Sequence, residues 1–96
     1  MNKTDPYEKN TEDYHLARMV EEAGEVSQIL GKILRFGPHS YNPEDPQKTE
    51  NLELLEMELD QLYEAHCKYI TLVKMRVRAQ LNNEASMRYL AEKEKK

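Results

Sequence analysis

The sequence predicts an all-α fold: two long antiparallel helices plus a short C-terminal helix, assembling into a helical bundle through oligomerisation. Three observations predict it. Apolar residues recur at helical spacing in two long segments, a loop with three prolines separates them, and neither strand alternation nor an internal repeat is present. The chain has 96 residues, 39 % apolar and 33 % charged, with no Trp and one Phe. That is enough for a single domain over residues 1–96, with a thin core that favours association with a second copy.

A polar arm, about residues 1–10, opens the chain, and Pro6 and Asn10 discourage early helix. The first helix is expected from about Thr11 to Phe36. Asn10 or Thr11 can serve as N-cap, and Glu12 and Asp13 lie in the first turn, where the helix dipole favours anions. Leu16, Val20, Ala23, Leu30 and Leu34 mark its expected core stripe, and Gly37-Pro38 ends it. The loop, about 37–48, holds Pro38, Pro43 and Pro46 with His39, Ser40, Tyr41 and Asn42 among them. Thr49 or Asn51 then opens a second helix, whose seam reads Leu52, Leu55, Leu59, Leu62, His66, Tyr69, Val73 and Val77. Asn82-Asn83 is expected to interrupt it, leaving a last amphipathic piece from about Glu84 to Glu94.

The net charge of −4 argues against general nucleic-acid binding, and no direct DNA binding is expected. The local basic clusters, Lys74, Arg76 and Arg78 and then Lys93, Lys95 and Lys96, read as a solvated face and a tail. Cys67 is the only cysteine, which excludes an intramolecular disulfide and a thiolate metal cluster. No apolar run follows Met1, and no segment approaches membrane-spanning length, so a soluble, cytoplasmic protein without a membrane partner is expected. His66 reads as a core histidine and the methionines as packing residues.

Acids beside an apolar stripe are the informative exception, because a carboxylate there is costly unless something compensates it. Projected at about 100° per residue, the first helix centres its apolar arc near Ala23 and Leu30, with Glu22 on the edge. Glu25 lies about 60° further round, and Lys32 and Arg35 follow on the same side. On the second helix the arc centres near Leu55, Leu62 and His66, with Glu58 about 60° from that centre. Glu53, Glu56, Asp60 and Glu64 point well away. Acids at i and i+3 can jointly hold a hard cation, and basic residues two turns on can meet phosphate oxygens. An ordinary charged face paired with nearby basic residues fits the same spacing.

The composite pattern is Glu21-Glu22-x-x-Glu25, then Lys32-Ile33-Leu34-Arg35-Phe36-Gly37, then the proline-rich loop, then Asn51 and Leu55-Glu56-Met57-Glu58-Leu59. Over roughly residues 16–62 it resembles the MazG-like, all-α nucleotide pyrophosphohydrolases. The resemblance implies a Mg²⁺-dependent nucleoside triphosphate pyrophosphohydrolase that releases a nucleoside monophosphate and pyrophosphate and works as a homodimer or homotetramer. Its first acidic pair falls on Glu22 and Glu25, with Glu21 adjacent. Its second pair, normally Glu-x-x-Asp, falls on Glu58 and Gln61. The implied roles are metal ligation by Glu22, Glu25, Glu58 and Gln61, general-base catalysis by Glu21 or Glu22, and substrate binding by Lys32, Arg35 and Asn51. His39 and Tyr41 could close over the nucleotide, although a purely structural loop fits as well.

Gln61 departs from that pattern. It offers one neutral carbonyl oxygen where an Asp offers charge, which weakens hard-cation binding. The alternative is therefore a catalytically weakened or inactive helical module that binds a nucleotide or a protein partner. A plain helical dimer with no small-molecule site is the third reading.

Overall fold

The computed structural model describes residues 6–94; residues 1–5 of the expected polar arm, and Lys95 and Lys96 of the basic tail, lie outside the described residues. Two helices, α1 (Glu12–Phe36) and α2 (Asn51–Glu94), pack against each other as an antiparallel hairpin, and no strand occurs among the described residues. Among the described residues, no helix is long and apolar enough to cross a membrane.

The α1 boundaries follow local chemistry. Thr11 is the N-cap, its hydroxyl accepting from the Tyr14 amide at 3.1 Å, while Glu12 and Asp13 occupy the first turn. Gly37 ends the helix with φ at 90°, a region open to glycine, and its amide donates to the Ile33 carbonyl at 2.8 Å.

The loop is held by short-range polar contacts. Asp45 accepts from the amides of Gln47 and Thr49, both at 3.0 Å, and Asn42 Oδ1 accepts from the Glu44 amide at 3.0 Å. Those amides, Thr49 first and then Gln47, hold the Asp45 carboxyl below its ordinary range. The return into α2 is fastened by the Asn51 amide on the Ser40 carbonyl and the Leu52 amide on the Pro38 carbonyl, both at 2.9 Å.

Two expectations are corrected. First, α2 runs unbroken through Asn82-Asn83 to Glu94, so there is no separate C-terminal helix. Asn costs a helix only about 0.7 kcal/mol relative to Ala, and neither Pro nor Gly is present there to enforce a stop. At 44 residues α2 spans about 66 Å, which explains a molecule measuring 77 × 25 × 19 Å. The α1 helix reaches only to Arg76, whose Nε donates to Glu12 Oε2 at 2.7 Å; every described residue beyond it is exposed.

Second, both helices are rotated relative to the projected arcs. The face of α1 turned toward α2 carries His15, Glu22 and Ile29, with Met19, Val26 and Ile33 beside them. Val20 and Leu34, expected in the core, are 70 % and 88 % exposed, and Leu16, Ala23 and Leu30 are also exposed. On α2 the buried positions are Asn51 and Ala65, and Glu58 lies on the line between them. Leu52, Leu59, His66 and Val77, expected on the seam, are exposed, whereas Leu55, Leu62, Tyr69 and Val73 are half-buried. A hydrophobic projection finds the most apolar side of a helix, and here that is not the side facing the rest of the chain.

Candidate metal centre

The rotation brings the acids inward. Glu22 and Glu25 lie one turn apart on α1, and Glu58 faces them from α2. One carboxylate oxygen from each lies within 4.8 Å of those of the other two. All three residues are half-buried. Glu22 Oε2 and Glu58 Oε2 are shut off from solvent with no hydrogen-bond partner. Two carboxylate oxygens in that condition are unstable as bare charges, because burial removes water and the like charge adds repulsion.

Two things relieve the conflict. The first is a proton. Glu58 is pushed up to about 8, chiefly by hydrogen bonding with Glu22, then by burial, then by hydrogen bonding and repulsion from Glu25 and repulsion from Glu22. The second is a cation. An all-carboxylate oxygen donor set suits a hard divalent ion such as Mg²⁺, and the orphaned oxygens are the atoms it would satisfy.

The other predicted residues divide by position. Glu21 is half-buried next to Glu22. Gln61, one turn beyond Glu58, is exposed. Lys32, Arg35 and Asn51 line a single cavity of about 650 Å³ together with Phe36, Tyr41 and Leu54. Lys32 is seven residues from Glu25, and Asn51 seven residues from Glu58, so the cavity and the acids are about 10 Å apart on both helices. The cavity lies at the loop end of the hairpin, lined by the end of α1, the loop and the start of α2.

Asn51 has a second task. Its side-chain Nδ2 donates to the Gly37 carbonyl at 3.2 Å, linking the start of α2 to the end of α1. It is 5 % exposed and fixes the two helix ends relative to each other. Arg35 lies over Phe36, with its guanidinium carbon 5.6 Å from the ring centroid. Tyr41 lines the cavity and is anchored through a single antiparallel bridge to Glu50. His39 contacts Glu50 at 3.4 Å instead.

Sequence reasoning did not assign Phe36 or Leu54 to the site, nor the fastening role of Asn51. The available signal was an Asn opening the second helix on its inward line, where an apolar residue is the default. Glu53, Glu56, Asp60 and Glu64 are exposed, as projected, and Glu64 pairs with Lys68 at 2.9 Å. Compared with known proteins, the chain matches no family model, no curated protein and no solved structure.

Proposed function

We propose that this chain is a Mg²⁺-dependent nucleoside triphosphate pyrophosphohydrolase. One observation carries the reading. Three carboxylates from two helices converge within 4.8 Å, two of them with buried, unpartnered oxygens, and a cavity bearing Lys32 and Arg35 lies about two helical turns further toward the loop. Anionic ligands at one end and cationic ones two turns away suit a substrate that is a string of phosphates with a nucleoside attached.

In this reading Glu22, Glu25 and Glu58 would hold Mg²⁺, with Gln61 as a weaker fourth ligand, and the bound ion would supply positive charge against the charge that develops on the leaving pyrophosphate. Lys32 and Arg35 bind phosphate oxygens and fix the chain of phosphates along the helix pair. Glu21 or Glu22 takes a proton from the attacking water as its oxygen bonds to the α-phosphorus. The bond from the α-phosphorus to the bridging oxygen breaks, and its electron pair leaves with pyrophosphate. The wall formed by Phe36, Tyr41 and Asn51 accommodates the nucleoside portion.

Incubation of the purified protein with a panel of nucleoside triphosphates and Mg²⁺, followed by pyrophosphate detection, tests this. Release from at least one substrate, lost in Glu22→Gln, is expected. A folded protein that releases none from any substrate contradicts it.

The exposed, neutral Gln61 favours one second reading, a helical module that binds nucleotide without turning it over. Gln61→Asp separates the two. A large gain in rate identifies a weakened enzyme; no activity in either form identifies the module.

A further inference from the structure

Of the polar side chains on the cavity wall, Asn51 alone is buried. Its amide is also held in one orientation. Nδ2 donates to the Gly37 carbonyl, and turning the amide over would set oxygen against oxygen there. Oδ1 therefore points away from Gly37. Among the described residues nothing donates to it, and unlike Glu22 Oε2 and Glu58 Oε2 it is not sealed from solvent. The cavity is the opening it has. A fixed acceptor without a partner gains a hydrogen bond from a ligand that brings a donor, and opposes one that brings a second acceptor.

The surroundings reinforce that sign. Asp45 lies on the same wall, and the amides of Thr49 and Gln47 hold its carboxyl below the ordinary range, so it is an anion at neutral pH. The hydroxyls of Ser40 and Thr49 can turn to suit a donor or an acceptor, so they do not discriminate. Phe36 and Tyr41 line the cavity and are 63 % and 42 % exposed, apolar rings left open where a flat heterocycle can stack. A volume of about 650 Å³ admits a purine or a pyrimidine, so size does not select between them.

We infer that the cavity selects nucleobases by an exocyclic amino group presented to Asn51 Oδ1, taking cytosine or adenine in preference to uracil or hypoxanthine. This rests on the nucleotide reading proposed above and names the class of base. Cytosine and adenine donate their amino hydrogen to Oδ1. Uracil and hypoxanthine carry a carbonyl oxygen at the same place, which leaves two acceptors face to face where little water reaches. Asn51 thus determines specificity as well as fastening the helix ends.

Calorimetry on the full chain with α,β-methylene triphosphates and Mg²⁺ tests this without relying on turnover, because the bond in question resists hydrolysis in these analogues. The cytidine analogue is expected to bind about 10- to 100-fold more tightly than the uridine analogue, and the adenosine more tightly than the inosine by a similar factor. The 2-pyrimidinone analogue, which has hydrogen in place of the amino or keto group, should fall between cytidine and uridine. Asn51→Ala, if circular dichroism shows it folded, should bring the cytidine-to-uridine ratio within about threefold of unity. If it does not fold, the order of the three pyrimidines decides. Equal affinities within either pair, a 2-pyrimidinone analogue outside that order, or a folded Asn51→Ala that keeps the preference would overturn the inference and leave the proposed hydrolysis standing. Binding of no analogue would overturn both. The predicted preference without pyrophosphate release from natural triphosphates would uphold the inference and overturn only the hydrolysis.

Discussion

The two faces of α1 invert the usual arrangement. The inward face carries His15, Glu22 and Glu25 beside Ile29, and the outward face carries Leu16, Val20, Leu30 and Leu34. Burying polar groups without partners costs free energy, and leaving four large apolar side chains in water forgoes stabilisation. A chain selected only to fold as a monomer would exchange the two. The inward face brings Glu22 and Glu25 against Glu58 between the helices, and the outward face leaves its apolar side chains exposed, on the same 25 residues.

Changes on the inward face should give the largest effects. Glu22→Gln keeps the shape and removes the charge; pyrophosphate release should fall at least about 100-fold, the lower range for loss of a catalytic base. The matching outward change, Ser27→Ala, should leave the rate within a few-fold. Equal losses from both would erase the distinction, and steady-state kinetics reads it directly.

At the cavity, Asn51→Ala removes the donor to the Gly37 carbonyl and should destabilise the chain by about 1–3 kcal/mol, the cost of stranding a buried polar partner. Urea unfolding measures it. A change near zero would mean that the helix ends are held by the two backbone contacts alone.

Gly24→Ala sharpens the comparison by its sign. On a helix face open to water it should stabilise by about 0.5–1 kcal/mol. Thermal melts of the variant and the wild type measure it, and a variant that melts lower would mean that this face is not open to water.

The gentlest prediction concerns pH. Glu58 holds its proton to about 8 in the folded chain, against 4.5 for an ordinary glutamate. Between those values the folded state carries more protons than the unfolded one, so metal-free stability should fall as pH rises through this window and level off above about 8. Glu58→Gln should flatten that slope. Mg²⁺ competes with the proton, so it should raise the melting temperature more at pH 8.5 than at pH 6.

Much of the fold was legible in the sequence. Asn10 or Thr11, Gly37-Pro38, and Thr49 or Asn51 bracket these helix limits because capping and termination are local chemistry, and the structure uses Thr11, Gly37 and Asn51. The rotation of α1 was not legible. Leu16, Val20, Leu30 and Leu34 form the more apolar arc, and apolarity alone does not say whether a face meets its own chain or another. Glu22 was consequently placed on a boundary when it lies at the centre of the packed face. The same limit applied to Asn82-Asn83, whose weak propensity penalty a long helix absorbs. Glu22, Glu25 and Glu58 were identifiable by spacing and resemblance, and the structure brings those three together. Gln61 and the cavity wall depend on rotation and loop path, which spacing does not carry.

We propose that the inward acids form a divalent-cation site. Titration with Mn²⁺ at pH 8.5, followed by electron paramagnetic resonance, tests it most directly. The account predicts one tightly held ion per chain in the wild type, displaced by Mg²⁺ and absent in Glu58→Gln. Wild-type binding no stronger than that of Glu58→Gln would contradict it.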